Sequence, residues 1–120
     1  MQYVAGKCNI GRKGGIKRII IGSSFLISAI FIYFLISSNA LDKTFILMLF
    51  PVFSIGFLNI IESIKGFCVL YALNGTFNMD SVEVEITSVV DRAKDKMRAF
   101  EIVLASVVVG AVATAIFYFI

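Results

Sequence analysis

Three long apolar stretches, separated by polar ones, set the plan of this chain. The first, Ile19 to Ile36 (IIIGSSFLISAIFIYFLI), runs 18 residues without a charge, and about 20 apolar residues in a helix cross a bilayer. A short polar turn, Ser37 to Thr44 (SSNALDKT), follows it, so the next run must return antiparallel. That run spans Phe45 to about Ile61, and a third covers about Ile102 to Phe119. The pattern predicts an all-α membrane protein with three transmembrane helices at about 19–36, 45–61 and 102–119. It forms a single integral membrane domain over 1–120: a basic arm (1–18), a helical hairpin (19–61), a polar segment (62–98) and the third span (99–120).

The charges orient the bundle. Lys7, Arg12, Lys13, Lys17 and Arg18 precede the first span, Lys43 alone occupies the first loop, and Lys65, Arg92, Lys94, Lys96 and Arg98 lie between the second and third spans. Clustered cations resist translocation. The expected topology is therefore N-terminus cytoplasmic and C-terminus outside, with Arg12, Lys13, Lys17 and Arg18 as the principal topology signals. Gly6, Gly11, Gly14 and Gly15 oppose a long helix in the arm, which is expected to be flexible or tightly turned. Ser38-Asn39-Ala40 has the look of a signal-peptidase site, but the apolar run before it exceeds the usual apolar region of a signal peptide, about 7–15 residues, and an uncleaved span is expected.

Within the spans, polar residues need partners. Ser24 and Ser28 lie one turn apart, available either for close helix approach or for bonding back to their own carbonyls. Pro51 removes a backbone donor and leaves the Leu47 carbonyl without its usual partner, so a kink or a local water or side-chain donor is expected there. Asn59, polar and deep, is expected to face another helix as structural glue. In the third span Ser106, Gly110 and Thr114 recur every four residues, a small-residue stripe suited to packing within the bundle or between protomers. Tyr118 is placed to anchor the far interface.

The polar segment is less decided. Glu62 and Lys65 can pair on a helix, yet Phe67 to Leu73 is apolar again, so 62–75 either extends the second span or forms an interfacial or re-entrant piece. Asn74-Gly75 reads as a stop and turn. Val82, Val84 and Ile86 alternate with Glu83 and Glu85 as in a strand, while Val82, Ile86, Val89, Val90, Ala93, Met97 and Phe100 also fit one side of a helix. Ser88 with Asp91 resembles a capping box and starts a helix near Ser88. Asp91 with Lys94 and Asp95 with Arg98 are expected on a solvated face.

Composition narrows the function classes. At 59% hydrophobic, 16% charged and a mean hydropathy of +0.95, the chain has too little polar surface for a water-soluble globule of 120 residues. Histidine is absent, which removes the commonest general base and metal ligand. The expectation is no catalytic residue, no metal and no cofactor. The net charge of +3 sits beside the spans, where it addresses anionic headgroups, so the lipid bilayer and not nucleic acid is the expected partner.

The candidate chemistry is a thiol pair. Cys8 shortly precedes the first span and Cys68 shortly follows the second, so an antiparallel hairpin brings both to one face. In a reducing compartment they are thiols suited to disulfide exchange, persulfide transfer or soft-metal binding. The competing reading is that Cys68 is simply a small buried hydrophobe.

At these residues the chain resembles the YgaP-type small inner-membrane domain, which occurs alone or attached to rhodanese domains. The matching pieces are Cys8-Asn9-Ile10-Gly11, with Lys17-Arg18 leading into Gly22, and Gly66-Phe67-Cys68-Val69-Leu70-Tyr71 followed by Gly75. The resemblance covers about residues 8–75 and implies a two-helix hairpin, often dimeric, in the plasma (inner) membrane, beside a soluble partner that handles sulfane sulfur. Val69 stands where that family commonly has proline, no rhodanese domain is present, and the third span lies outside the match. Two functions are therefore expected in competition. One is a non-enzymatic multi-pass subunit that packs by its third span as a homo-oligomer or within a larger membrane complex. The other is a thiol-dependent sulfur or redox accessory using Cys8 and Cys68; a minimal transporter is disfavoured by the lack of mid-span acids or histidines.

Overall fold

The computed structural model describes residues 3–78 and 84–120. Its helices are α1 (Arg12–Ser38), α2 (Leu49–Lys65), α3 (Val69–Asn74) and α4 (Val89–Phe119), with a 3-10 turn (Lys43–Met48) before α2 and two short strands, β1 (Thr76–Phe77) and β2 (Val84–Glu85). The chain is an all-α membrane protein: α1, the stretch Lys43–Lys65 and α4 are each long and apolar enough to cross a bilayer. The molecule measures 54 × 24 × 17 Å, longer than the roughly 30 Å hydrocarbon core. The excess is a polar cap at the end where the N-terminus lies.

Helix α2 is the middle of the bundle, with α1 on one side and α4 on the other. The α1 face is a stripe of small residues. Gly22, Ala29 and Ile36 are its buried positions, seven residues apart, so they stay on one side of a helix turning about 3.6 residues per turn. At Gly22 the backbones nearly touch: a Cβ there would stand 2.8 Å from the Gly56 carbonyl oxygen and 2.8 Å from Cγ1 of Ile60. The opposite α1 face, including Ile27 (68% exposed) and Phe31 (63%), is too apolar for water and suits lipid.

Toward the far end, Ala29, Ile36, Ile46, Leu49 and Phe53 form one core, covered by Tyr33 and Phe117. Phe117 stacks on Phe53 at 5.4 Å and meets Tyr33 edge-on at 4.8 Å. Lys43 lies over the Tyr118 ring, so Tyr118 occupies the end of the bundle opposite the cap. A second core, Phe67, Val69, Ala72, Ala99 and Ile102, joins the cap to the bundle.

Several sequence expectations are corrected. The first helix starts at Arg12, not near 19, because Gly14 and Gly15 sit in its first turns, where packing on α2 outweighs their poor propensity. Pro51 does not fall in the middle of a helix. It is the third residue of α2, where a helix has no N–H to lose. The preceding 3-10 turn, capped by the Asp42 carboxylate accepting from the Thr44 N–H, brings the Leu49 N–H against the carbonyls of Ile46 and Leu47. Ser24 donates to its own Ile20 carbonyl at 2.9 Å, on the exposed side of α1.

Residues 62–65 complete α2, and Val69–Asn74 form a separate short helix. Gly66 ends α2 in the left-handed conformation (φ 63°), and the separate helix α3 ends at Gly75 (φ 70°) in the same way, a geometry glycine adopts without steric cost. The strand reading holds for Val84–Glu85, which pair antiparallel with Thr76–Phe77; Val82 and Glu83 lie outside the described residues. Ser88 caps α4, its hydroxyl accepting from the Asp91 N–H. Val89, Met97 and Phe100 do lie on one side of α4, but that side points outward. The helix turns Asp95, Ala99 and Ile102 to the core instead.

Candidate functional site

The cap is built around one asparagine. Asn9 is fully buried, and its side chain replaces a missing strand partner for Cys68: Nδ2 donates to the Cys68 carbonyl (3.0 Å), and Oδ1 accepts from the Cys68 N–H (2.6 Å). Its backbone continues the pattern, with Asn9 N donating to Gly66 O (2.9 Å) and Asn9 O accepting from Asn78 N (2.9 Å). The arm, expected to be flexible or tightly turned, is thus stitched to the α2–α3 connection and to the residue after β1. A buried amide that meets both a donor and an acceptor satisfies itself and the backbone it faces.

A second tie holds the arm to α4. Asp95, fully buried, accepts from the Tyr3 hydroxyl (2.7 Å) and the Gly6 N–H (2.7 Å), and Tyr3 stacks on Phe77 at 4.3 Å. The expected solvated face is therefore wrong at Asp95, and Arg98 pairs with Glu101 (2.9 Å) instead. Burial pushes the Tyr3 phenol above its ordinary range, helped by the hydrogen bond to Asp95 and by the negative charge of Asp95 and Asp91. Arg92 closes the far side of the cap, donating to the Ile86 carbonyl (2.5 Å) and pairing with Glu85 (3.0 Å).

Where α1 and α2 emerge into the cap, Glu62 pairs with Arg18 (2.8 Å) and not with Lys65. Both side chains are largely shielded, at 16% and 8% exposure. Arg18 also donates to the Gly14 carbonyl, lies over the Tyr71 ring at 5.9 Å and shares a groove wall with Cys68. Ser63 Oγ donates to the Gly15 carbonyl (2.7 Å), locking the same level of the hairpin. Beside this cluster opens a groove of about 700 Å³, whose walls include Lys13, Lys17, Arg18, Glu62, Cys68 and Tyr71.

The sequence-selected residues fall as follows. Cys8 and Cys68 do come to one end of the bundle, as thiols. Cys68 is buried and borders the groove; Cys8 is half-buried, its Cβ 3.6 Å from where a Cβ on Gly66 would lie. Among the described residues no three histidine, cysteine, aspartate or glutamate side chains converge as a metal site requires. Asn59 faces α1, near Gly22, but donates to its own Ile55 carbonyl (2.9 Å) and not across the interface.

The stripe Ser106, Gly110 and Thr114 is buried within the bundle. Gly110 lies against Ser54 of α2, so close that a Cβ there would stand 3.0 Å from the Ser54 backbone. Ser106 and Thr114 donate back to the carbonyls of Val103 and Gly110. Of the topology residues, Arg18 is drawn into the cluster, whereas Arg12, Lys13 and Lys17 lie exposed on the first turns of α1.

Sequence reasoning missed Asn9 and Asp95 as organising residues. For Asp95 a signal exists: it stands four residues before Ala99 on the stripe that continues through Ile102, Ser106 and Gly110, so period alone places it on the packed face. For Asn9 no local pattern separates it from a solvated loop residue. No protein-family model matches this chain, and no characterised protein or solved structure matches it either.

Proposed function

We propose that the chain is a small non-enzymatic interaction subunit of the plasma (inner) membrane. Its cap and N-terminus lie in the cytoplasm and its C-terminus outside. The distribution of cations supports this orientation: the two basic clusters, Lys7 with the first turns of α1 and the end of α2 with the first turns of α4, belong to the same end of the bundle, and Lys43 alone lies at the other.

One observation carries the interaction reading. Helix α4 has 31 residues, about 46 Å at roughly 1.5 Å per residue, so its first turns stand clear of the hydrocarbon core. There Val89 (79% exposed) and Met97 (69%) present an apolar face beyond the span, with Phe100 (68%) at its boundary. The small-residue stripe lower on α4 is already closed against α2, so contact with a second copy or a larger assembly falls to this face. Co-purification in mild detergent tests it. Met97→Glu with Phe100→Glu is expected to release the associated protein, whereas unchanged association would remove this face from the account.

A second reading, a thiol-dependent sulfur or redox accessory, is favoured by one feature: Cys68 and Arg18 both line an open groove. The two segments that carry the likeness to the YgaP-type domain, Cys8 to Gly11 and Gly66 to Tyr71, also bond to each other through Asn9. Replacing both cysteines by serine separates the readings. Intact assembly and phenotype would leave the interaction reading alone.

A further inference from the structure

We propose that α4 pairs with α4 of a second copy of this chain, side by side and parallel, along a seam that runs from Val90 to Val107. The inference rests on the interaction reading above and deepens it by naming the partner.

Val90, Ala93, Met97, Phe100, Leu104 and Val107 follow one another at alternating intervals of three and four residues, the repeat by which two helices wind around each other. All six are exposed, while Asp95, Ala99, Ile102 and Ser106 hold the opposite side of α4 against the bundle. Beyond Glu101 every residue of α4 is uncharged, so the repeat there is also what lipid would accept. Before it the pattern is selective. Seven of the thirteen residues from Val89 to Glu101 are charged, and none of the seven stands at a seam position.

The flanking charges choose a second copy over a foreign helix. Copies of one membrane protein insert with the same orientation, so a two-fold pair has its axis along the membrane normal and its α4 helices parallel. In a parallel pair the residue just before one seam position faces, across the seam, the residue five positions further along the other helix. Lys96 therefore faces Glu101 of the second copy, and symmetry makes this contact twice. Lys94, on the other flank, faces Val89, so like charges do not oppose each other there. Glu101 Oε2 already accepts from Arg98 on its own helix (2.9 Å), and a carboxylate takes further donors.

The test has two arms, both on the full chain. In a background of Cys8→Ser with Cys68→Ser, mild copper-phenanthroline oxidation in native membranes should join copies carrying Met97→Cys or Leu104→Cys, which lie on the seam. It should not join copies carrying Ala105→Cys or Val109→Cys, which are exposed but off it. With both native cysteines kept, sedimentation in density-matched detergent should find Lys96→Glu alone and Glu101→Lys alone self-associating about four- to thirtyfold more weakly, because both symmetry-related pairs turn from attraction to repulsion. Mixed, the two variants should pair with each other at wild-type strength, since each supplies the charge that the other lacks. Circular dichroism of each variant confirms that the helices are intact.

Equal linking at all four positions overturns the proposal, as does a lack of linking at both seam positions. So does a mixture of the two charge variants that associates no better than either alone. If the chain sediments as a monomer while another protein still co-purifies and is released by Met97→Glu with Phe100→Glu, the second copy is overturned and the interaction reading stands. If nothing co-purifies either, both fall.

Discussion

Asn9→Ala is expected to unlock the cap without dismantling the hairpin. The substitution removes both side-chain bonds to Cys68, at 2.6 and 3.0 Å. Cys68 is 2% exposed, so water cannot readily replace them. The Cys68 N–H is left without this acceptor, while its carbonyl still accepts from the Ala72 N–H at 3.1 Å. An unsatisfied buried polar group costs about 1–3 kcal/mol; with the carbonyl half-satisfied, the sum is about 2–4 kcal/mol.

The readout is the Cys68 thiol itself, in a Cys8→Ser background so that one sulfur reports. A buried thiol reacts with maleimide only from locally opened molecules. A loss of 2–4 kcal/mol therefore raises the labelling rate roughly 30- to 700-fold. Asn9→Asp should be at least as damaging at neutral pH, because a carboxylate oxygen would then face the Cys68 carbonyl. Protonation restores a donor there, so the folded state favours the protonated acid. The stability of this variant is recovered toward acid pH and lost as pH rises. Labelling of Asn9→Ala within two- to threefold of the parent would refute the idea that Asn9 holds the cap shut.

Other sites give sharper contrasts. Gly22→Ala forces a Cβ against the Gly56 carbonyl at 2.8 Å and should cost about 1–3 kcal/mol. Gly15→Ala, whose nearest atoms lie at 3.7 Å, should be neutral or gain up to about 1 kcal/mol from helix propensity; unfolding in a detergent–SDS titration compares the two. Glu62→Ala, which leaves Arg18 without its carboxylate, should cost up to about 3–5 kcal/mol, whereas Arg18→Met with Glu62→Met should be closer to neutral. Equal losses for the single and double replacements would argue that the ion pair is not the source of the penalty. The Tyr3 phenol is held protonated in the fold, so its contribution is complete below its ordinary value of about 10 and is lost as pH rises beyond that. Spectrophotometric titration should therefore show a tyrosine ionising above the ordinary range, and Tyr3→Phe should remove that late step.

The parts of the fold legible in the sequence are those governed by local rules. An 18-residue charge-free run needs only the bilayer to become a span, and Ser88, Gly66 and Gly75 mark helix ends by their own chemistry. Pro51 misled because its effect depends on where the helix begins, and that was set by a 3-10 turn extending from the Asp42 cap. Of the two readings left open for Ser24, bonding back to its own carbonyl holds: Ser24 and Gly22 are both small, and only the partner helix decides which is buried. The candidate site was legible at Cys8 and Cys68, since an antiparallel hairpin must bring them to one end. The pairings Arg18–Glu62 and Tyr3–Asp95 bridge residues 44 and 92 apart in the chain. Nothing local distinguishes such partners from the nearer opposite charges Lys65 and Arg98.

The most direct test of the account is the sidedness of three points in intact cells: the N-terminus, the Lys43 turn and the C-terminus. Each would carry a short tag or single cysteine read with an impermeant reagent. The N-terminus protected, with Lys43 and the C-terminus both accessible from outside, is the predicted result. Termini on the same side, or a protein that stays in solution after detergent is removed, would contradict a three-span bundle with its basic cap in the cytoplasm.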